Sequence, residues 1–64
     1  MMVQMIEVHD KEGNLLRIET YHESGEHLLD FLWDSRDAQT HDNRVEFRKW
    51  VVRHLKQSGH EVAE

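Results

Sequence analysis

The sequence predicts an α+β fold in which an N-terminal β-hairpin packs against two α-helices, in the order β-β-α-α. Residues 3–9 and 15–21 alternate between apolar and polar side chains with the period of a strand. Residues 25–35 and 44–58 are rich in apolar side chains that recur with the period of a helix. The 64 residues include no proline and no linker-like segment, so residues 1–64 are predicted to form one compact domain.

The hairpin is predicted from its turn as well as from its two strands. Asp10 begins a short polar segment, and Gly13 stands where the backbone needs a left-handed conformation, which is typical of a type I turn closed by a bulge. One side of the ribbon should then face the core. Its predicted buried side chains are Ile6, Val8, Leu16 and Ile18. The side predicted to face water carries Glu7, His9, Arg17 and Glu19.

The segment 25–35 is predicted to be a short first helix. Ser24 is a suitable N-cap, and Glu26 would lie at the positive end of the helix dipole. The apolar side chains cover a sector about 200° wide, so the helix lies between the hairpin and the second helix or leaves surface for a partner. We favour the first interpretation because so small a domain needs its apolar side chains for the core. These side chains are Leu28, Leu29, Phe31, Leu32 and Trp33.

The second helix carries its own start and stop signals. Asn43 and Glu46 have the spacing of a capping box, so the helix should begin at Arg44, and Gly59 supplies a residue that readily ends it. Its apolar stripe is about 140° wide and should face the core, with His54 at the edge of the core. The stripe consists of Phe47, Trp50, Val51, His54 and Leu55.

Two polar segments complete the chain. Residues 36–43 lack periodicity and are predicted to form a loop. Residues 59–64 are predicted to be a frayed tail, because chain ends are poorly ordered unless other elements hold them. A short third strand built on Val62 is the alternative.

The charge is unevenly distributed along the chain. The net charge is −5, yet residues 44–64 carry five Lys/Arg and only three Glu. This balance argues against a protein whose whole surface follows nucleic acid. The absence of cysteine excludes disulfides and thiolate metal sites and favours a reducing compartment, so we expect the cytoplasm. No apolar run reaches the roughly 18 residues of a membrane span, and residues 1–6 do not resemble a signal peptide.

Two sets of residues are candidate interaction surfaces. On the predicted first helix, acidic residues at i, i+4 and i+8 would form a ridge that pairs within the fold or docks on a partner. The predicted partner-binding residues are Glu26, Asp30, Asp34, Trp33, Val45 and Val52. Alternatively, the basic face of the second helix would contact phosphates. The residues of this nucleic-acid alternative are Arg44, Arg48, Lys49, Arg53 and Lys56.

No catalytic, cofactor or metal site is predicted. His22 and His27 flank a segment that looks at first like the helix of a zinc protease, but they are five residues apart rather than the required four. The serines and threonines are explained by caps and loops. We therefore predict a small acidic non-enzymatic protein-binding module, an adaptor, regulator or inhibitor of the kind that phages and mobile elements encode. Its partner would be another protein or a second copy of the chain, with nucleic-acid binding as the alternative and no membrane contact.

Overall fold

The computed structural model describes residues 2–63, which form a four-stranded mixed sheet with a single helix packed on one side. The elements in chain order are β1 (Met2–His9), β2 (Leu15–His22), β3 (His27–Leu32), α1 (His41–Gln57) and β4 (Glu61–Val62). The strands lie in the sheet in the order β3-β2-β1-β4. The predicted β-β-α-α order is therefore wrong, because one of the two expected helices is a strand and a fourth strand follows the helix.

The turn between β1 and β2 is held by one aspartate, as its sequence predicts. The Asp10 N–H donates to Asn14 O over 2.9 Å, and the Asp10 carboxylate accepts the N–H groups of Glu12 and Asn14, both at 2.9 Å. Gly13 has a φ of 84°, the left-handed conformation that the bulge requires. The Asn14 N–H is the main cause that lowers the pKa of Asp10 below its ordinary value.

The buried side of the hairpin differs from the predicted one. Ile18 is fully buried, but Ile6 is 50% exposed and Leu16 is exposed as well. The reason is the register, which pairs Ile18 with Glu7. Ile18 therefore lies on the same face as Val3, four residues before Glu7 in β1. The register shifts at the end of β1, where Val8 pairs with Arg17 but His9 pairs with Leu15. As a result, the side chain of Leu15 rather than that of Leu16 points into the core.

Residues 27–32 form a strand where the sequence predicts the middle of the helix 25–35. Gly25, with a φ of 92°, lies in a tight turn in which its N–H donates to His22 O over 2.8 Å. The segment predicted as a helix start is therefore a hairpin turn. A short helix with a glycine in its first turn is marginal in water, whereas pairing with β2 satisfies a whole edge of backbone groups. In that pairing Ile18 lies opposite Phe31, so both face the helix.

A buried threonine supports an irregularity in β3. The register between β2 and β3 shifts at Thr20, which is fully buried. Its hydroxyl donates to Leu29 O over 2.7 Å and accepts the Leu29 N–H over 3.0 Å, so both backbone groups of the irregular residue are satisfied. The extra residue lets Leu28 pack against the core while Leu29 remains 51% exposed.

The helix α1 begins three residues earlier and ends one residue earlier than the predicted helix 44–58. Thr40, rather than Asn43, is the N-cap, and its hydroxyl accepts the Asn43 N–H over 3.1 Å. At the other end Gly59 has a φ of 88°, its N–H donates to Lys56 O, and the His60 N–H donates to Leu55 O, both over 3.0 Å. This pair of bonds is the Schellman motif, so the glycine stop is confirmed.

The core lies between α1 and the helix-facing side of the sheet. Its fully buried aliphatic side chains are Val3, Leu15, Ile18, Val51 and Leu55. The inward face of α1 is rotated from the predicted stripe, because Val52 is only 8% exposed whereas Trp50 is 41% exposed and His54 is exposed. The larger aromatic side chains therefore lie at one margin of the core rather than in its centre.

The segment predicted as a frayed tail contains β4. After the Gly59 turn the chain reverses, and Val62 pairs with Val3 in a parallel ladder. The Ala63 N–H donates to Val3 O over 2.9 Å. Val62 packs against the core cluster, so burial of an apolar side chain holds this segment against β1.

The segment between β3 and α1 is fastened to the sheet by one side chain. The Gln39 amide accepts the Leu15 N–H over 2.8 Å and donates to Leu15 O. This two-point contact holds the start of α1 next to the end of β3. Within residues 2–63, no helix is both long enough and apolar enough to cross a bilayer.

Candidate functional site

A groove of about 660 Å³ lies between the end of β3 and residues 43–53 of α1. Three aromatic side chains line it: Trp33, which directly follows β3, and Phe47 and Trp50 on α1. Phe47 and Trp50 are three residues apart, so they project from the same side of the helix. Leu32, which is 71% exposed, lies at the same place.

The aromatic rings of the groove contact one another in a continuous row. Trp33 meets Phe47 edge to face with ring centroids 5.2 Å apart, and Phe47 stacks on Trp50 at 6.1 Å with ring planes 14° apart. Phe31 meets Trp50 from the sheet side in a T-shaped arrangement at 5.8 Å. The Trp33 indole N–H also donates to Asp37 O over 3.3 Å. These contacts hold the rings of the groove in place against one another.

The strand beside the groove is an edge of the sheet. Among the described strands, β3 pairs only with β2, and this pairing continues past the strand end, where the Trp33 N–H donates to Leu16 O over 3.1 Å. Backbone groups along a strand point alternately to its two sides, so those of Asp30 and Leu32 point away from β2. Asp30 and Leu32 therefore offer backbone donors and acceptors to an incoming strand.

Charged side chains lie at both ends of the groove. Asp34 is engaged by Arg36, whose guanidinium donates to both carboxylate oxygens over 3.1 and 2.9 Å and is the main cause that lowers the pKa of Asp34. Asp37 makes no ion pair within residues 2–63. Glu46 lies 3.6 Å from Lys49, and both of these side chains are about two-thirds exposed or more, at 70% and 66%. Arg53 lines the opposite end.

The sheet face that points away from α1 holds a second polar cluster. The Glu19 carboxylate accepts the Tyr21 hydroxyl over 2.7 Å and the Arg17 Nε–H over 2.8 Å. The Tyr21 hydrogen bond is the main cause that lowers the pKa of Glu19, and the same bond raises the pKa of Tyr21. On the neighbouring strand His27 lies 2.8 Å from Asp30. These side chains pair with each other on that face of the sheet.

The predicted acidic ridge does not form. Glu26, Asp30 and Asp34 would share one face only on a helix, and along a strand four residues span about 13 Å. Glu26 lies in the turn before β3, Asp30 points to the outer sheet face, and Asp34 follows the strand and lines the groove. Two of the predicted partner-binding residues, Trp33 and Asp34, therefore meet at the groove.

The other predicted contact residues lie elsewhere. Val52 is buried against the sheet and Val45 is half-buried, which fits the alternative that these valines widen the buried face of the helix. Of the basic residues, Arg48 pairs with Glu7 over 3.0 Å and Arg44 is half-buried. The exposed basic residues are Lys49, Arg53 and Lys56. The basic set is thus divided between the margin of the core and the exposed side of α1.

The histidines do not assemble around a common point. Among the side chains of residues 2–63, no three of the types His, Cys, Asp and Glu lie close enough to hold a metal ion. His22 and His60 have ring centroids 6.0 Å apart, and the buried His22 Nδ1 has no hydrogen-bond partner in the part of the chain that the structure describes. His54 lies against Trp50 with centroids 4.0 Å apart, at the solvent side of the aromatic row.

Sequence reasoning assigned Phe47 and Trp50 to the core and so missed their part in the groove. One signal for it was present: the helix carries more apolar side chains than a face that already includes Val45 and Val52 can bury. Comparisons of the chain with protein-family models, with curated proteins and with solved structures found no match. The chemistry of the groove is therefore the basis for inferring function.

Proposed function

We propose that this chain is a non-enzymatic protein-binding module that holds an extended segment of another protein in the groove between β3 and α1. One observation supports this most strongly: an edge strand with outward-pointing backbone groups lies directly beside a row of aromatic rings. Addition of a strand to such an edge is a common way in which small domains bind peptides. The module would act as an adaptor or regulator of the protein that carries the segment.

Backbone and side-chain contacts would divide the binding energy. The backbone groups of Asp30 and Leu32 would bond to the incoming strand irrespective of its sequence. Alternate side chains of that strand would point into the groove, where an apolar side chain fully buried against Phe47 and Trp50 contributes about 1.5–3 kcal/mol. A single anchor with a few backbone bonds of about 0.5–1.5 kcal/mol each supplies less than the roughly 8.2 kcal/mol of a micromolar affinity, so the contact would be weak and reversible.

The basic residues of α1 give less support to the nucleic-acid alternative. Arg48 is engaged by Glu7, and Lys49 lies next to Glu46. Their positions are spread around the helix, and Phe47 and Trp50, which could stack on bases, lie beside the carboxylates of Asp37 and Glu46. Carboxylates repel phosphates, so this side of the molecule suits a peptide better than a nucleic acid.

The chain contains its own reporter for this proposal. It has two tryptophans, and both line the groove, so tryptophan emission reports on this site. A library of random peptides would be selected on the native protein and cleared of peptides that also bind the variant Trp50→Ala. We expect selected peptides to change the tryptophan emission and to slow amide hydrogen exchange at Asp30 and Leu32.

The matched control is Lys56→Ala, which removes an exposed side chain of the same helix outside the groove. It should bind the selected peptides as the native chain does. The proposal fails if no peptide depends on Trp50, or if the selected peptides protect amides of other strands and leave those of β3 unchanged.

A further inference from the structure

We infer, taking the proposed function as the premise, that the bound segment comes from a different protein, runs antiparallel to β3 and carries a cation, an apolar anchor and an anion in that order from its N- to its C-terminus. The groove has a direction, and its charges differ between the two ends. That difference fixes which end of the groove takes the cation and which end takes the anion. Antiparallel pairing, the slightly more stable arrangement of two strands, then sets the order of these charges along the ligand.

The direction of the groove follows from the ring contacts. Trp33 meets Phe47, while Phe31, two residues earlier in β3, meets Trp50, three residues later in α1. The helix therefore runs opposite to β3 along the groove. Residues early in α1 lie next to the end of β3, and residues later in α1 lie next to its beginning.

The charged side chains fall at opposite ends of this direction. Asp37 and Glu46 lie where β3 ends, and Arg53 lies toward its beginning. Seven helical residues separate Glu46 from Arg53, which corresponds to about 10 Å along the groove. A strand covers about 13 Å in four residues, so ligand side chains at i, i+2 and i+4 share one face and match the two ends and the rings between them.

The groups at the two ends are available to a ligand. Asp37 makes no ion pair within the described chain, and the exposed Glu46–Lys49 pair contributes 1 kcal/mol or less, so a ligand cation can replace Lys49. Trp33 adds a ring face at the same end, which also favours a cation. Arg53 is exposed and has no carboxylate partner among residues 2–63, so its guanidinium can take a ligand carboxylate.

The same charges disfavour a second copy of the chain in the groove. Residues 26–37, which include β3 and its flanks, carry four acidic residues and one arginine. If a second copy added its β3 antiparallel to this one, its Glu26 would approach the end that already holds Asp37 and Glu46. Like charges placed opposite each other are destabilising, and two-fold symmetry would repeat that repulsion at the other half of the dimer.

The closing experiment uses two peptides of identical composition. Each has seven residues, an acetylated N-terminus and an amidated C-terminus, with leucine in the middle and threonine at the remaining positions. The first has lysine at its second position and glutamate at its sixth, and the other has these two exchanged. Binding to the full chain is followed by tryptophan emission at low salt. We expect the first peptide to bind about five- to tenfold more tightly, because two exposed charge pairs distinguish it from the second.

A charge-reversed groove sharpens the result. The double variant Glu46→Lys with Arg53→Glu changes two exposed side chains and should invert the preference between the peptides. Lys56→Glu, on the same helix outside the groove, should leave the preference unchanged. Circular dichroism of each variant establishes that α1 is intact.

The outcomes separate this inference from the proposed function. Equal binding of the two peptides would overturn the charge order while leaving peptide binding in the groove intact. Tighter binding of the exchanged peptide would overturn the antiparallel orientation. If neither peptide binds but library-selected peptides bind at Trp50, the inference alone fails. If no library peptide depends on Trp50 either, the proposed function fails with it.

Discussion

Two neighbouring residues of α1 meet entirely different surroundings. Val51 is fully buried against the sheet, whereas Trp50, directly before it, is 41% exposed and lines the groove. Leu55, one turn after Val51, is buried in the same way as Val51. The aliphatic side chains of this helix therefore hold the fold together, and its aromatic side chains form the surface that we propose for binding. Apolar character alone therefore does not tell which side chains of α1 lie in the core and which line the groove.

Removing an aliphatic core side chain should have the largest effect. Leu55→Ala should lower the free energy of unfolding by about 2–5 kcal/mol, because it leaves a cavity beneath a helix that packing has to hold. In so small a domain this approaches the whole stability. Urea unfolding monitored by circular dichroism measures it, with Lys56→Ala as the exposed control on the same turn. A loss below 1 kcal/mol would show that Leu55 is not the centre of the core.

The buried hydroxyl in β2 should come next. Thr20→Val keeps the shape of the side chain but removes both hydrogen bonds to Leu29, which should lower the free energy of unfolding by about 1–3 kcal/mol. Amide exchange should also quicken at Leu28 and Leu29, because the irregular part of β3 loses its support. Thr20→Ser, which retains the hydroxyl, should preserve the protection of these amides even if some packing is lost. Equal exchange in both variants would contradict this role.

Removing an aromatic side chain should affect peptide binding more than stability, the opposite of what we expect for Leu55. Trp50→Ala should lower the free energy of unfolding by only about 1–2 kcal/mol, since much of the ring already contacts water. Peptide affinity should fall at least about tenfold, because the anchor loses its surface. Binding is measured with the remaining Trp33 as the fluorophore. Unchanged affinity in a folded variant would remove the distinction between the two sets of side chains.

The smallest effect on stability is expected in the turn between β1 and β2, which contains neither the core aliphatic side chains nor the aromatic side chains of the groove. The pKa of Asp10 is lower in the folded chain than in the unfolded chain, chiefly through the Asn14 N–H. Its charge therefore stabilises the fold at pH values above the unfolded pKa of about 3.9, and that contribution is lost as the pH falls through the lower folded value. Asp10→Ala should be less stable than the native chain at neutral pH and should differ progressively less from it in acid.

The pH dependence is measured as the urea midpoint at several pH values. The matched control is Glu12→Ala. It removes a carboxylate from the same exposed turn but leaves the Asp10 carboxylate, which accepts the backbone N–H groups, in place. A constant difference between Asp10→Ala and the native chain down to strongly acidic pH would contradict the assignment.

The first hairpin could be predicted because the residues that determine it are close together in the sequence. Asp10 and Gly13 supply the bonds and the backbone conformation of the turn within a few residues, and alternation marks the strands on either side. The end of α1 was predictable for the same reason, since Gly59 is all that its final motif requires.

The third strand and the orientation of the helix could not be predicted from local pattern. The register shift at Thr20 breaks the alternation around Leu28 and Leu29, so these residues look as helical as they look extended. The contact that stabilises this irregularity is the hydrogen bond from the Thr20 hydroxyl, which lies in β2 and nine residues before Leu29. The rotation of α1 likewise depends on which side chains the finished sheet can cover, and only the assembled core decides that.

The parallel pairing of β4 with β1 has a consequence for the order in which the molecule assembles. Val3 and Val62 lie at opposite ends of the described chain, so their contact closes a loop of almost its entire length. Loop-closure entropy is larger for such a contact than for either hairpin, which joins neighbouring strands by a short turn. We therefore expect the two hairpins to form early in folding and β4 to dock last. In native-state hydrogen exchange the Ala63 amide should accordingly be among the first of the sheet to open.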